Sequence, residues 1–128
     1  MPVHRVSSPS PYAALIGFSS AVRAGDWVVV AGTSAVDGTG AVVGEDDAYA
    51  QTREVLRKIA VALAGAGAGP RHVVQTRVHL SRRADWEAVA QAHGEEFGAT
   101  PPAAAFLVVG LLDPRMLVEI EAVAYTGP

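Results

Sequence analysis

Leu117-Val118-Glu119-Ile120-Glu121-Ala122-Val123-Ala124-Tyr125 is the stretch that decides the fold. In an extended chain successive side chains point to opposite faces. Val118, Ile120, Ala122 and Ala124 then share one face, and Glu119, Glu121, Val123 and Tyr125 the other. That alternation predicts a strand with one buried face. Upstream, Asp113-Pro114 marks a turn, and Ala103–Val109 reads as another strand. From Asp85 to Phe97 the period becomes helical. Trp86, Val89, Ala90, His93 and Phe97 form the apolar stripe, with Asp85 as cap and Gly98 as stop.

Further upstream, Val73–Leu80 alternates again. Val74, Thr76, Val78 and Leu80 face one side, and Gln75, Arg77 and His79 the other. Asp46 to about Ala64 is a second helix, with Thr52, Val55, Leu56, Ile59 and Leu63 on one stripe and Arg53, Glu54, Arg57 and Lys58 opposite. Asp46 or Asp47 can cap its start, and Gly65 and Gly67 can end it in left-handed conformations. Gly65–Pro70 is a loop too short to separate domains. Ala21-Val22-Arg23 and Trp27–Ala31 flank Gly25-Asp26 as a hairpin. Asp37-Gly38-Thr39-Gly40 is a further turn. Residues 1–20 form an arm with a short edge strand near Arg5–Ser7.

Strands outnumber the well-separated helices, so the expected class is α+β: one sheet, both helices on one face. A single domain over 1–128 is expected. The face carrying Glu119, Glu121, Val123 and Tyr125 would also hold Gln75 and Arg77. Such a mixture of Arg, Tyr and Glu suits a subunit contact; a solvated sheet face is the plainer reading.

Composition excludes several classes. Half the residues are hydrophobic and 18% charged, which suits a compact fold rather than a disordered chain. The net charge of −3 comes without blocks of like charge, so a basic footprint for nucleic acid is absent. With no cysteine, disulfides, thiolate nucleophiles and cysteine metal sites are ruled out. No stretch approaches a membrane span, and Met-Pro-Val-His-Arg lacks the apolar run of a signal peptide. A cytoplasmic location is expected.

The motif order resembles the RidA/YjgF family from about Gly17 to Tyr125. The matching pieces are Ser19-x-Ala21-Val22-x-Ala24-Gly25, Val28-Val29-Val30-Ala31-Gly32, Gln51-Thr52-Arg53-x-Val55-Leu56 and Val73-Val74-x-Thr76. Phe97-Gly98, Pro102-Ala103 and Leu117-Val118-Glu119-Ile120-Glu121-Ala122 complete the set. The resemblance implies a chorismate-mutase-like homotrimer with ligand clefts between subunits and no cofactor. Imine-hydrolysing members hold a substrate carboxylate with an arginine after Pro-Ala and activate water with a glutamate of the C-terminal strand.

By that resemblance the glutamate is Glu119. The arginine position holds Ala104, followed by Ala105 and Phe106. A tyrosine position holds Phe18, a serine position Ala31 with Thr33 nearby, and an asparagine position Ala90. An alanine cannot make the paired charge-assisted bonds of a guanidinium. The expected ligand is therefore a small neutral or apolar metabolite. The implied activity is hydrolysis of an imine or enamine lacking a free carboxylate. A tautomerase or cyclase, or a non-catalytic trimer binding a metabolite or a partner, are the alternatives.

Glu119 is the catalytic candidate, since a carboxylate desolvated in a cleft can trade protons with water. Its plainer reading is a strand glutamate, solvated or paired with Arg77. His93 suits a proton shuttle by type, but its place on an apolar stripe fits a hydrogen-bonded core histidine. His4, His72 and His79 lack metal spacing. Ser19 and Ser20 lack the setting of a serine nucleophile. Gly38-Thr39-Gly40 and Gly65-x-Gly67 read as turns rather than phosphate loops, and Trp27 and Trp86 as packing residues.

Overall fold

The computed structural model describes residues 2–128. Strand β1 (Val3–Val6) and a one-turn helix α1 (Ala13–Ile16) lead into the hairpin of β2 (Ala21–Ala24) and β3 (Trp27–Ser34). Helix α2 (Ala48–Gly65), β4 (Val73–Leu80), α3 (Trp86–Phe97), β5 (Ala103–Val108) and β6 (Val118–Tyr125) follow. All strands join one sheet in the order β1-β2-β3-β6-β4-β5. Every pairing is antiparallel except β4 with β5. That one parallel pair is connected through α3, as a crossover requires.

The final strand thus inserts at the sheet's centre, between β3 and β4. Its alternation holds: Val118, Ile120, Ala122 and Ala124 are buried, and the residues between them only partly so. On the covered face these four meet Val28, Val30, Val78 and Leu80 from neighbouring strands and Val55, Leu56, Ile59 and Leu63 from α2. Burial of such branched aliphatics, at roughly 25 cal/mol per Å² of apolar surface, is what holds the helix layer to the sheet. The α+β class and the one-sided helix layer are as the sequence predicts.

Several local expectations need correction. The first strand is Val3–Val6, paired with β2, rather than Arg5–Ser7. Helix α1 has no counterpart in the sequence reading. Asp47 is the cap of α2, its carboxylate accepting from the Ala50 N–H at 3.0 Å, while Asp46 sits at φ 56°. Gly67, at φ 76°, is the left-handed residue after α2, whereas Gly65 is still helical. Asp85 makes no cap bond; its carboxylate accepts from Arg82 Nε at 2.8 Å instead. Trp86 is half exposed and leaves the stripe to Val89, Ala92, His93 and Phe97.

Val74 also faces away from the core. The β4–β6 register slips between Val73 and Gln75, and this bulge buries Val73 while leaving Val74 43% exposed. A second slip falls in β3. Val30 pairs with Ala122, but Thr33 rather than Gly32 pairs with Ile120. The extra residue re-aims the Ala31–Gly32 backbone.

Candidate functional site

Glu119 stands on the sheet face away from the helices. The register places it between Ser34 of β3 and His79 of β4. Its carboxylate leans over the bulge of β3. A Cβ built on Gly32 would lie 2.6 Å from Glu119 Oε1, so the glycine keeps that space open. Among the described residues no hydrogen bond or ion pair reaches this carboxylate. Burial, with some help from Glu121, raises its pKa above the usual 4.5, and nearby His79 opposes the shift.

The partner suggested for Glu119, Arg77, belongs to Glu121 instead. Arg77 Nη1 is 4.0 Å from Glu121 Oε1, and His79 Nε2 is 3.0 Å from Glu121 Oε2. The sequence reading missed the histidine contact, because cross-strand neighbours 42 positions apart leave no local spacing signal.

Phe18, Ala31 and Thr33 line a cavity of about 260 Å³ beside the bulge, between the N-terminal arm and α2. Thr33 does not replace the family's serine as a free hydroxyl; its Oγ1 donates to the Ala31 carbonyl at 2.7 Å. Lys58 also reaches this cavity, and the sequence reading placed it on the outer stripe of α2. Its ammonium donates to the Ser34 and Val36 carbonyls at 2.6 and 2.8 Å, and burial lowers its pKa. Two carbonyls so held brace the exit of β3.

Ala90, His93, Ala104 and Phe106 lie elsewhere. Ala104 pairs with Thr76, and Phe106 with Val78. Thr76 and Val78 face the helices, so Ala104 and Phe106 share that face at the sheet's edge. The His93 ring packs 4.8 Å from Phe97 and 5.6 Å from Phe106 between centroids. Its Nε2 lies 2.8 Å from Thr76 Oγ1, and burial lowers its pKa. The imidazole is therefore a neutral, satisfied packing residue, as its stripe position suggested.

The candidate residues thus fall in three places: Glu119 on the open face, Phe18, Ala31 and Thr33 around the cavity against α2, and the set at Ala104 across the sheet from Glu119. Arg77, on the strand next to β5, points to Glu119's face and leaves Ala104 without a guanidinium neighbour from β4. Among the described residues no three His, Asp or Glu side chains are arranged to hold a metal ion, and no helix is long and apolar enough to cross a membrane.

The family model described as Endoribonuclease L-PSP matches residues 8–126. An uncharacterised protein of Streptomyces coelicolor is 44% identical over 126 residues, 98% of this chain and 93% of the relative. The 3-aminoacrylate deaminase RutC of Acinetobacter baylyi is 36% identical over 118 residues, 92% of this chain and 91% of the relative. A crystal structure from Mycobacterium tuberculosis, a member of the YjgF/YER057c/UK114 family, superposes with a TM-score of 0.87 at 41% identity, covering 97% of this chain and 99% of that one. With matches of this length on both sequence and backbone, the chain belongs to the Endoribonuclease L-PSP family, the RidA/YjgF group, and has its chorismate-mutase-like α+β fold.

Proposed function

We propose that this protein is a RidA-like deaminase that hydrolyses a reactive imine or enamine lacking a free carboxylate, within a homotrimer of single-domain subunits. The carrying observation is the Glu119 carboxylate: partly buried, with its pKa raised by burial, without a polar partner among the described residues, and lodged against Gly32. A carboxylate in that state is suited to accept a proton from water. Similarity to a 3-aminoacrylate deaminase supports deamination as the reaction class.

In this reading the cleft forms between copies. Glu119, Gly32 and Phe18 of one subunit face Ala104 and Phe106 of a neighbour, which the sheet keeps apart within one chain. Glu119 takes a proton from water as the oxygen bonds to the C=N carbon. The C=N π electrons move to nitrogen, which takes a proton. The carbinolamine then collapses, its hydroxyl proton passing to nitrogen as the C–N bond breaks, which releases ammonia or an amine and leaves a carbonyl. An enamine first gains a proton at carbon to become the imine. The substrate's own electrophilic C=N calls for no cofactor.

Ala104 decides the substrate class. A buried substrate carboxylate without a guanidinium would cost several kcal/mol, so a neutral, apolar carbon skeleton is favoured beside Phe18 and Phe106. Ammonia or amine release from uncharged imines, compared with 3-aminoacrylate, tests this. Turnover of the uncharged substrate is expected, with loss of at least about 100-fold in Glu119→Gln, the usual scale of a positioned acid–base group, and an unchanged oligomer. Rapid deamination of 3-aminoacrylate would overturn the substrate class, and full activity of Glu119→Gln the role of the carboxylate. Ligand-dependent stabilisation without consumption of the ligand would favour a binding protein instead.

A further inference from the structure

The open face of the sheet holds a second ionisable group that the reading above does not use. We propose that His79 is a positioning residue for Glu119: its imidazole, locked by Glu121 and set across the strand pair from Glu119, keeps the cleft carboxylate in its ionised, proton-accepting form. The inference rests on Glu119 being the base.

Three features of the structure support it. His79 and Glu119 are direct partners in the β4–β6 register, a relation that puts their Cβ atoms about 4.5–5.5 Å apart. The imidazole is also fixed, because Nε2 is 3.0 Å from Glu121 Oε2, and Glu121 is itself 4.0 Å from Arg77. Its side chain is only 18% exposed, so water screens its charge less than at an open surface. Finally, among the described residues the other cation on this face of β4, Arg77, stands opposite Glu121 rather than Glu119. From β3 come Gly32 and Ser34, from β5 comes Leu107 opposite His79, and from β6 comes Glu121, a like charge.

Charging Glu119 is opposed by burial and by Glu121, and favoured by His79. A histidine is the side chain whose ordinary charge change falls between pH 8 and 5. An imidazolium held across the strand pair from Glu119 would resist protonation of that carboxylate. The Glu121 carboxylate that holds the ring also lies within reach of Arg77. His79 itself, with Nε2 spent on Glu121 and Leu107 beside it, is poorly placed to reach the Gly32 side of the cleft.

The test uses the full chain in its native assembly. Glutamate side-chain carboxyls are labelled with ¹³C, and the Glu119 signal is assigned by its disappearance in Glu119→Gln. His79→Gln keeps a donor for Glu121 but removes the charge; His79→Lys keeps a cation. We expect the Glu119 titration midpoint to rise by about half a pH unit or more in His79→Gln, the lower end of what a nearby opposite charge supplies, and to return in His79→Lys. The acidic limb of kcat/KM for ammonia release should move by the same amount with little change in KM. A midpoint unchanged in His79→Gln overturns the inference, whether or not the protein turns over. A midpoint that moves while Glu119→Gln retains turnover upholds the hold of His79 on Glu119 and refutes Glu119 as the base.

Discussion

Strands β6 and β5 are both rich in small and branched apolar residues, yet they are finished to different degrees. On β6 every second side chain is buried, because β3 and β4 pair with it on both sides and α2 covers one face. On β5 all six residues are exposed. Only β4 pairs with it, and Phe106, Leu107 and Val108 remain 38%, 46% and 56% exposed. An uncharged edge strand with apolar side chains on both faces is the kind of surface that the proposed homotrimer would cover. The lesson is that burial on β6 is decided within one chain, while β5 is left open by its own chain, to be closed only in the proposed homotrimer. The candidate site divides along the same line, with Glu119 on the finished strand and Ala104 and Phe106 on the unfinished one.

The largest expected effect lies on the finished side. Ile120→Ala should cost about 2–5 kcal/mol in denaturant unfolding, the range for truncating a fully buried aliphatic. A loss under about 1 kcal/mol would mean that the centre of the sheet is far looser than its packing implies. On β5 the contrast sharpens. Leu107→Asp should change the folding stability of the separate chain by less than about 0.5 kcal/mol, as at an ordinary surface position, yet abolish the oligomer. Sedimentation at several concentrations reads the second effect directly. A variant that assembles like wild type would show that the β5 strip is simply wet, and the contrast between the strands would lose its meaning.

What could be read from sequence follows the same division. Alternation along Leu117–Tyr125 and the 3.6-residue stripe of α2 report burial within one chain, so sheet, helix layer and the sidedness of Glu119 were all legible. Register was not. Nothing local announces that β4 slips at Val74 or that β3 carries an extra residue at Ala31–Gly32, because a bulge is settled by pairing across strands. Gln51 is a similar case. Polar and in the first turn of α2, it is fully buried because its Oε1 accepts from the Leu117 N–H and its Nε2 donates to the Arg115 carbonyl, a bridge that only the folded chain creates. The split of the candidate residues was hidden for a further reason. Family motifs identify positions, and Ala90, His93, Ala104 and Phe106 carry no mark of which side of the sheet they occupy relative to Glu119. The pairing of His79 with Glu121 escaped for the reason that register did.

The smallest expected effect concerns Glu119, a β6 carboxylate without a hydrogen-bond or ion-pair partner among the described residues. Glu119 has a folded-state pKa raised above the ordinary 4.5, chiefly by burial. A carboxyl with a raised folded pKa holds its proton more tightly when folded than when unfolded. Stability therefore falls as pH rises from 4.5 to the folded pKa, and the full cost persists above it. Glu119→Gln cannot ionise, so it should be slightly more stable than wild type at pH 8, with the gap closing toward pH 4. Unfolding curves at the two pH values, taken at matched protein concentration, give the comparison. Glu121→Gln should show no such gain, because Glu121 is compensated by His79 and Arg77. Were Glu119→Gln the less stable protein at pH 8, Glu119 would be an ordinary paired strand glutamate, and β6 would carry nothing held in reserve for a ligand.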